Sequence, residues 1–105
     1  NITIAGNNIY YTDSDDIVWS LNSGSGHVNW KQDKLKARGL TEPVYSAGKL
    51  YLADKAGILH VLSADDGKMI ARKSVGASVN LAPVVNDNNV FVQASNGTLS
   101  KYKVS

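Results

Sequence analysis

Three stretches of this 105-residue chain repeat one another: Ile9-Tyr10-Tyr11-Thr12, Leu50-Tyr51-Leu52-Ala53 and Val90-Phe91-Val92-Gln93, spaced 41 and then 40 residues apart. The likeness extends past these anchors. Ile17-Val18-Trp19-Ser20-Leu21 falls on Ile58-Leu59-His60-Val61-Leu62 and then on Thr98-Leu99-Ser100-Lys101-Tyr102. Gly26 falls on Gly67, Gly57 on Gly97, and Thr41-Glu42-Pro43-Val44 on Leu81-Ala82-Pro83-Val84. A period near 40 restricts the chain to an array in which each unit buries its apolar surface against the next.

The middle unit shows what is being repeated. Pro43 to Tyr45, Lys49 to Ala53, Ile58 to Leu62 and Lys68 to Lys73 read as four short strands. Ser46-Ala47-Gly48, Asp54-Lys55-Ala56-Gly57 and Ala64-Asp65-Asp66-Gly67 separate them, with the Gly, Asp and Ser that supply positive φ and local hydrogen bonds in tight turns. Ile58-Leu59-His60-Val61-Leu62 is apolar on both faces, so it must be covered from both sides. Four-stranded antiparallel sheets recurring every 40 residues and packed face on face are the blades of a β-propeller, and the chain is all-β.

The repeat predicts one blade over 1–33 with a partial first strand, an inter-blade loop over 34–40, a complete blade over 41–76, and over 77–105 a closing blade that lacks its fourth strand. There is no initiating Met, and the last unit stops after its third strand at Lys101-Tyr102-Lys103-Val104-Ser105. The expectation is therefore the final two and three-quarter blades of a longer propeller. Taken alone, such a piece is expected to self-associate through its exposed blade faces or sheet edges.

Composition narrows the function without naming it. The chain is 43% hydrophobic and 19% charged, with a formal charge of +2. That is too weak a positive field for a nucleic-acid binder. It has no cysteine, which excludes disulfides, thiolate metal sites and cysteine nucleophiles. No apolar run approaches the ~20 residues of a membrane helix.

Two repeat families lie near this period. WD repeats place Gly-His early and Trp-Asp at the end of the third strand; Gly26-His27 is present, but Trp-Asp is absent and His27 recurs as Lys68. Quinoprotein-type repeats fit better, through Pro43-Val44, Gly48-Lys49-Leu50-Tyr51-Leu52, Gly57-Ile58-Leu59-His60-Val61-Leu62-Ser63 and Asp66-Gly67. In the first unit Gly26 to Trp30 keeps the spacing that makes the Trp ring an inter-blade wedge, whereas the second unit has Ala71 there. Within this group the chain resembles the BamB family. The stretches that carry the likeness are Asn8 to Asp13, Leu40 to Val44 through Gly57 to His60, and Ala94 to Ser100. The resemblance implies a non-enzymatic scaffold of eight blades, periplasmic and held to the outer membrane of a Gram-negative bacterium by an N-terminal lipid anchor outside this chain. It would bind the POTRA domains of BamA and assist insertion of outer-membrane β-barrels. The structural repeat positions are Gly26, Trp30, Pro43, Gly57, Gly67, Pro83 and Gly97.

No catalytic, cofactor-binding or metal-ligating residues are expected. His60 stands where the other units have Trp19 and Ser100, so that position reads as packing space, and His27 reads as an exposed turn residue. Asp15-Asp16 and Asp65-Asp66 suggest a metal or an acid/base pair, but they read as turn caps, since calcium needs six to eight oxygens from converging positions. Ser23-Gly24-Ser25-Gly26 precedes a strand rather than a helix, so it reads as a turn and not a phosphate loop. Lys31 to Arg38 holds most of the local positive charge, and its bland reading is a solvated loop. The functional reading is an interaction loop at one rim, with Lys34, Lys36 and Arg38 as charges and Leu35 and Leu40 as apolar contacts. Two alternatives stay open: a fragment of a quinone- and calcium-dependent quinoprotein dehydrogenase, and a quinoprotein-like adapter with an unrelated partner.

Overall fold

A computed structural model describes residues 2–86 and 88–103; Val104 and Ser105, read from sequence as the end of the closing blade, and Asn1 at the start of the first, lie outside the described residues. The described residues form antiparallel sheets and no helix, an all-β architecture as the repeat implies. The first sheet is β1 (Ile2–Ala5), β2 (Asn8–Thr12), β3 (Val18–Asn22) and β4 (Val28–Gln32). The second is β5 (Val44–Ser46), β6 (Lys49–Ala53), β7 (Ile58–Ser63) and β8 (Met69–Ser74). The third is β9 (Val84–Asn86), β10 (Asn89–Gln93) and β11 (Leu99–Lys103). Within each sheet the strands follow in sequence order, each hairpin pairing with the next.

Strand alternation divides the core in two. Leu50, Leu52 and Leu62 point from the second sheet toward the first and meet Tyr10, Val18 and Trp30. Tyr51, Ala53, Leu59 and Val61, the intervening residues, point the other way and meet Val90 and Val92 of the third sheet. The second sheet is thus apolar on both faces because it is covered on both. Its outermost strand, β8, stays largely in solvent. Apolar residues are also exposed on the outer two sheets, with Ile2, Ile4 and Val28 on the first and Val84 and Leu99 on the third.

The repeat is conformational as well as chemical. A ladder irregularity falls between Ser20 and Leu21 in the first sheet and between Val61 and Leu62 in the second, 41 residues on. The turns that join the second strand of each sheet to the third share one hydrogen bond, from the amides of Asp13, Asp54 and Ala94 to the carbonyls of Ile17, Ile58 and Thr98. Pro43 and Pro83 are buried immediately before β5 and β9, at the entry to an edge strand where a residue without an N–H is tolerated. The Pro43 carbonyl accepts the Thr3 hydroxyl at 2.6 Å, tying the inner edges of the first two sheets together.

Candidate functional site

The 34–40 connection passes from the first sheet to the second and is fixed at three points. Leu35 is 1% exposed and belongs to the core between the two sheets. Leu40 is half-buried against the same cluster. Both are named above as apolar contacts of an interaction loop; Leu35 is instead taken up by the core, and its burial offsets the cost of ordering the charged segment. Arg38 is also committed, its Nη1 lying 3.5 Å from Asp54 Oδ2. Asp16 supplies the third tie, its two carboxylate oxygens accepting the Gly39 and Leu40 amides at 3.0 Å each. Asp16 occupies the turn position held by Gly57 and Gly97 in the later units and shares their left-handed backbone, with φ of 62°. A side chain at that φ is costly, and here it is held by the two amides it caps. Of the five residues expected to form an interaction loop, Lys34 and Lys36 remain exposed.

Beneath the loop sits a buried polar pair. Asp54 and His60 have no measurable exposure, and His60 Nε2 lies 2.7 Å from Asp54 Oδ2. The other carboxylate oxygen accepts the Ile58 amide at 3.0 Å. Burial opposes ionisation of Asp54, but hydrogen bonds from His60 and the Ile58 and Ala56 amides together hold its carboxyl below the usual range. Burial also pushes the His60 imidazole below its usual value, against the pull of Asp54. His60 Nδ1 is buried and has no hydrogen-bond partner among the described residues. A bare lone pair there is tolerated better than an unpaired N–H⁺, which agrees with a neutral ring whose Nε2–H donates to Asp54. His60 is structural, but its ring does more than fill space.

The same device stands one unit earlier. Trp19 Nε1 donates to Asp13 Oδ2 at 2.7 Å, and Asp13 Oδ1 accepts the Ile17 amide at 3.0 Å. In the third unit the corresponding residues are Ala94 and Ser100, and both ends of the interaction are gone. Trp, His and Ser at the ring position do not by themselves mark this device; its sequence signal is the Asp six residues upstream, present when the ring is and absent when it is not.

The first two sheets are also joined by Trp30. Its indole is mostly buried, its Nε1 donates to the Ala64 carbonyl at 2.9 Å, and its ring lies against Gly67 of the second sheet. A Cβ at Gly67 would sit 2.4 Å from Trp30 Cε3, so only glycine allows this approach. Gln32 Nε2 adds a bond to the Gly67 carbonyl at 2.8 Å. Trp30 pairs with Ser20 across β3 and β4, and Ala71 pairs with the corresponding Val61 across β7 and β8. No ring therefore reaches from position 71 toward the third sheet.

The remaining sequence candidates are accounted for as turns or surface. His27, Asp15, Asp65 and Asp66 are exposed, and Asp66 Oδ1 accepts the Lys68 amide at 3.0 Å. Ser23 to Gly26 is a turn closed on Asn22 Oδ1, which accepts the amides of Gly24 and Ser25. Gly26 and Gly97 have φ of 75° and 88° in tight turns. Among the described residues no three His, Cys, Asp or Glu side chains come together as a cation cage. The buried carboxylate, Asp54, is already engaged by a histidine, a backbone amide and an arginine.

Residues 15–105 match the family model described as outer membrane protein assembly factor BamB. The chain is 46% identical over 105 residues to the protein of that name from Legionella pneumophila strain Paris, covering all of this chain and 27% of that protein. It therefore spans about a quarter of the length of the curated relatives it matches. The crystal structure of BamB from Moraxella catarrhalis superposes with a TM-score of 0.89 at 24% identity, over 98% of this chain and 30% of that one. A quinohemoprotein alcohol dehydrogenase from Pseudomonas putida HK5 superposes with a TM-score of 0.84 at 18% identity, over 97% of this chain and 18% of that one. At such identities the two superpositions show the fold alone.

Proposed function

The chain belongs to the family of the outer membrane protein assembly factor BamB, and from that membership we propose that it is part of a non-enzymatic scaffold in the assembly of outer-membrane proteins. The whole protein is then a periplasmic lipoprotein of eight blades, attached to the outer membrane. It binds the POTRA domains of BamA and assists insertion of β-barrels. The observation that carries this reading is the 46% identity across the whole of this chain. The polar chemistry agrees with it: the buried Asp54 and His60 and the part-exposed Arg38 hold the 34–40 loop and the turns in place. Function then lies in a rigid surface rather than in a reactive group.

On this reading the apolar faces of the first and third sheets, which hold Ile4 and Leu99, are covered by further blades of the longer protein. Lys34 and Lys36, the exposed remainder of the 34–40 loop, are available to meet an acidic surface of a partner at the rim. The dehydrogenase alternative rests on the shared fold alone.

The test is a reconstituted insertion assay, in which the rest of the assembly machinery in lipid vesicles folds an outer-membrane protein with and without the full-length protein. Faster insertion in its presence is the expected result. An unchanged rate at saturating protein would overturn the assignment.

A further inference from the structure

A half-open cleft of about 220 Å³ separates the second and third sheets, walled by Tyr51, Val61, Ala71, Val90 and Tyr102. Its place between these two sheets corresponds to the one that the Trp30 indole fills between the first and the second. The register of Ser20 with Trp30 and of Val61 with Ala71 makes the two positions equivalent. The cleft is thus the place of a wedge that the second unit does not supply. A cavity of about 150 Å³ already accepts a benzene ring, so there is room for an aromatic side chain.

Its walls are held from both sides. The Tyr102 hydroxyl donates to the Ser74 carbonyl at 3.1 Å, which ties β11 to the end of β8 beside the opening. Among the described residues the charged side chains at its exposed rim are Lys73 and Lys103. An aromatic group entering from solvent is therefore accompanied most favourably by a carboxylate.

We infer that this cleft is a docking site for an extended peptide segment that carries an aromatic side chain beside acidic residues, the ring taking the place of the missing wedge and the carboxylates meeting the lysine rim. The inference does not rest on the assembly reading, because it follows from the repeat and the charges alone.

The test uses the full-length protein and the fluorophore-labelled peptide acetyl-Glu-Trp-Glu-amide, followed by anisotropy. The controls are acetyl-Glu-Ala-Glu-amide, which lacks the ring, and acetyl-Lys-Trp-Lys-amide, which reverses the charge. Saturable binding at least about tenfold tighter than either control is expected, since a buried aromatic anchor dominates such contacts. Ala71→Trp, which fills the cleft with the protein's own indole, is expected to weaken binding at least about tenfold with the near-ultraviolet circular dichroism still native. If that variant does not fold, Lys73→Glu with Lys103→Glu is the alternative, and it is expected to reverse the preference between the two charged peptides. Absence of binding would mean that another part of the protein already occupies the cleft, and it would overturn the inference. Equal affinity for all three peptides, or binding indifferent to the variants, would overturn it as well.

Discussion

Gly67→Ala is the perturbation that most sharply tests how the first two sheets are joined. The substitution adds one methyl group and does two separate things. It places a Cβ on a residue with φ of 74°, and it drives that Cβ to 2.4 Å from Trp30 Cε3 and 2.7 Å from Cδ2. The left-handed backbone costs about 1–2 kcal/mol for a residue other than glycine. The clash forces the indole outward against its 2.9 Å bond to the Ala64 carbonyl, and overpacking of this kind costs roughly 1–3 kcal/mol. Together the two effects give a loss of about 3 kcal/mol. Trp30→Ala alone removes a large buried side chain and is expected to cost about 3–5 kcal/mol. The informative variant is the pair. With the indole gone, Gly67→Ala retains only its backbone cost, so the double variant should be about 2 kcal/mol more stable than the sum of the singles predicts. Equilibrium urea unfolding of the full-length protein, followed by far-ultraviolet circular dichroism, measures all three. Additivity within about 0.5 kcal/mol would refute the contact between ring and glycine as the reason position 67 must be glycine.

Three further outcomes follow from the same structure. Both members of the Asp54–His60 pair titrate below their usual values in the folded state, so the unfolded chain binds more protons and stability falls on acidification. The His60 part is lost as pH drops through about 6.5 and the Asp54 part below about 4; His60→Gln, which keeps a donor toward Asp54, should flatten the dependence of the urea midpoint between pH 5 and 7, and an unchanged slope would contradict the assignment. The Tyr51 hydroxyl is buried with no partner among the described residues, whereas that of Tyr10, one unit earlier, has the Asn8 and Ser20 side chains beside it. Tyr51→Phe should therefore be neutral or stabilising by up to about 1 kcal/mol while Tyr10→Phe destabilises, and a loss at Tyr51 larger than at Tyr10 would show that the hydroxyl is satisfied. Asp16→Gly keeps the backbone conformation, relieves the strain of a side chain at a left-handed φ and removes the cap on the loop, so amide hydrogen exchange at Gly39 and Leu40 should accelerate even where global stability is unchanged; unchanged protection would mean that the loop is held by Leu35 and Arg38 without it.

The strands were legible because the same apolar pattern occurs three times, and coincidence of Ile9, Leu50 and Val90 is far stronger than any one propensity. The two-sided burial of β7 could be read from Ile58-Leu59-His60-Val61-Leu62 for a simple reason: no residue in it is suited to water except the histidine, and Asp54 answers for that one. What stayed illegible depends on single side chains whose partners are remote in sequence. Leu35 looked exposed because Lys34 and Lys36 flank it, and one leucine has no periodicity to betray the face it takes. Asp16 looked like half of an acidic pair with Asp15, although its place in the unit is that of Gly57 and Gly97; its carboxylate reaches 23 and 24 residues ahead to amides that no local pattern marks. The pairing of Asp13 with Trp19 and of Asp54 with His60 was present in the repeat and escaped because each position was compared alone.

The central claim, a scaffold rather than an enzyme, is tested most directly by titrating the full-length protein with the POTRA domains of its own BamA, with pyrroloquinoline quinone plus calcium as the control ligand. The account predicts saturable POTRA binding and no binding of the quinone. Quinone binding without affinity for the POTRA domains would contradict it and return the protein to the dehydrogenases whose fold it shares.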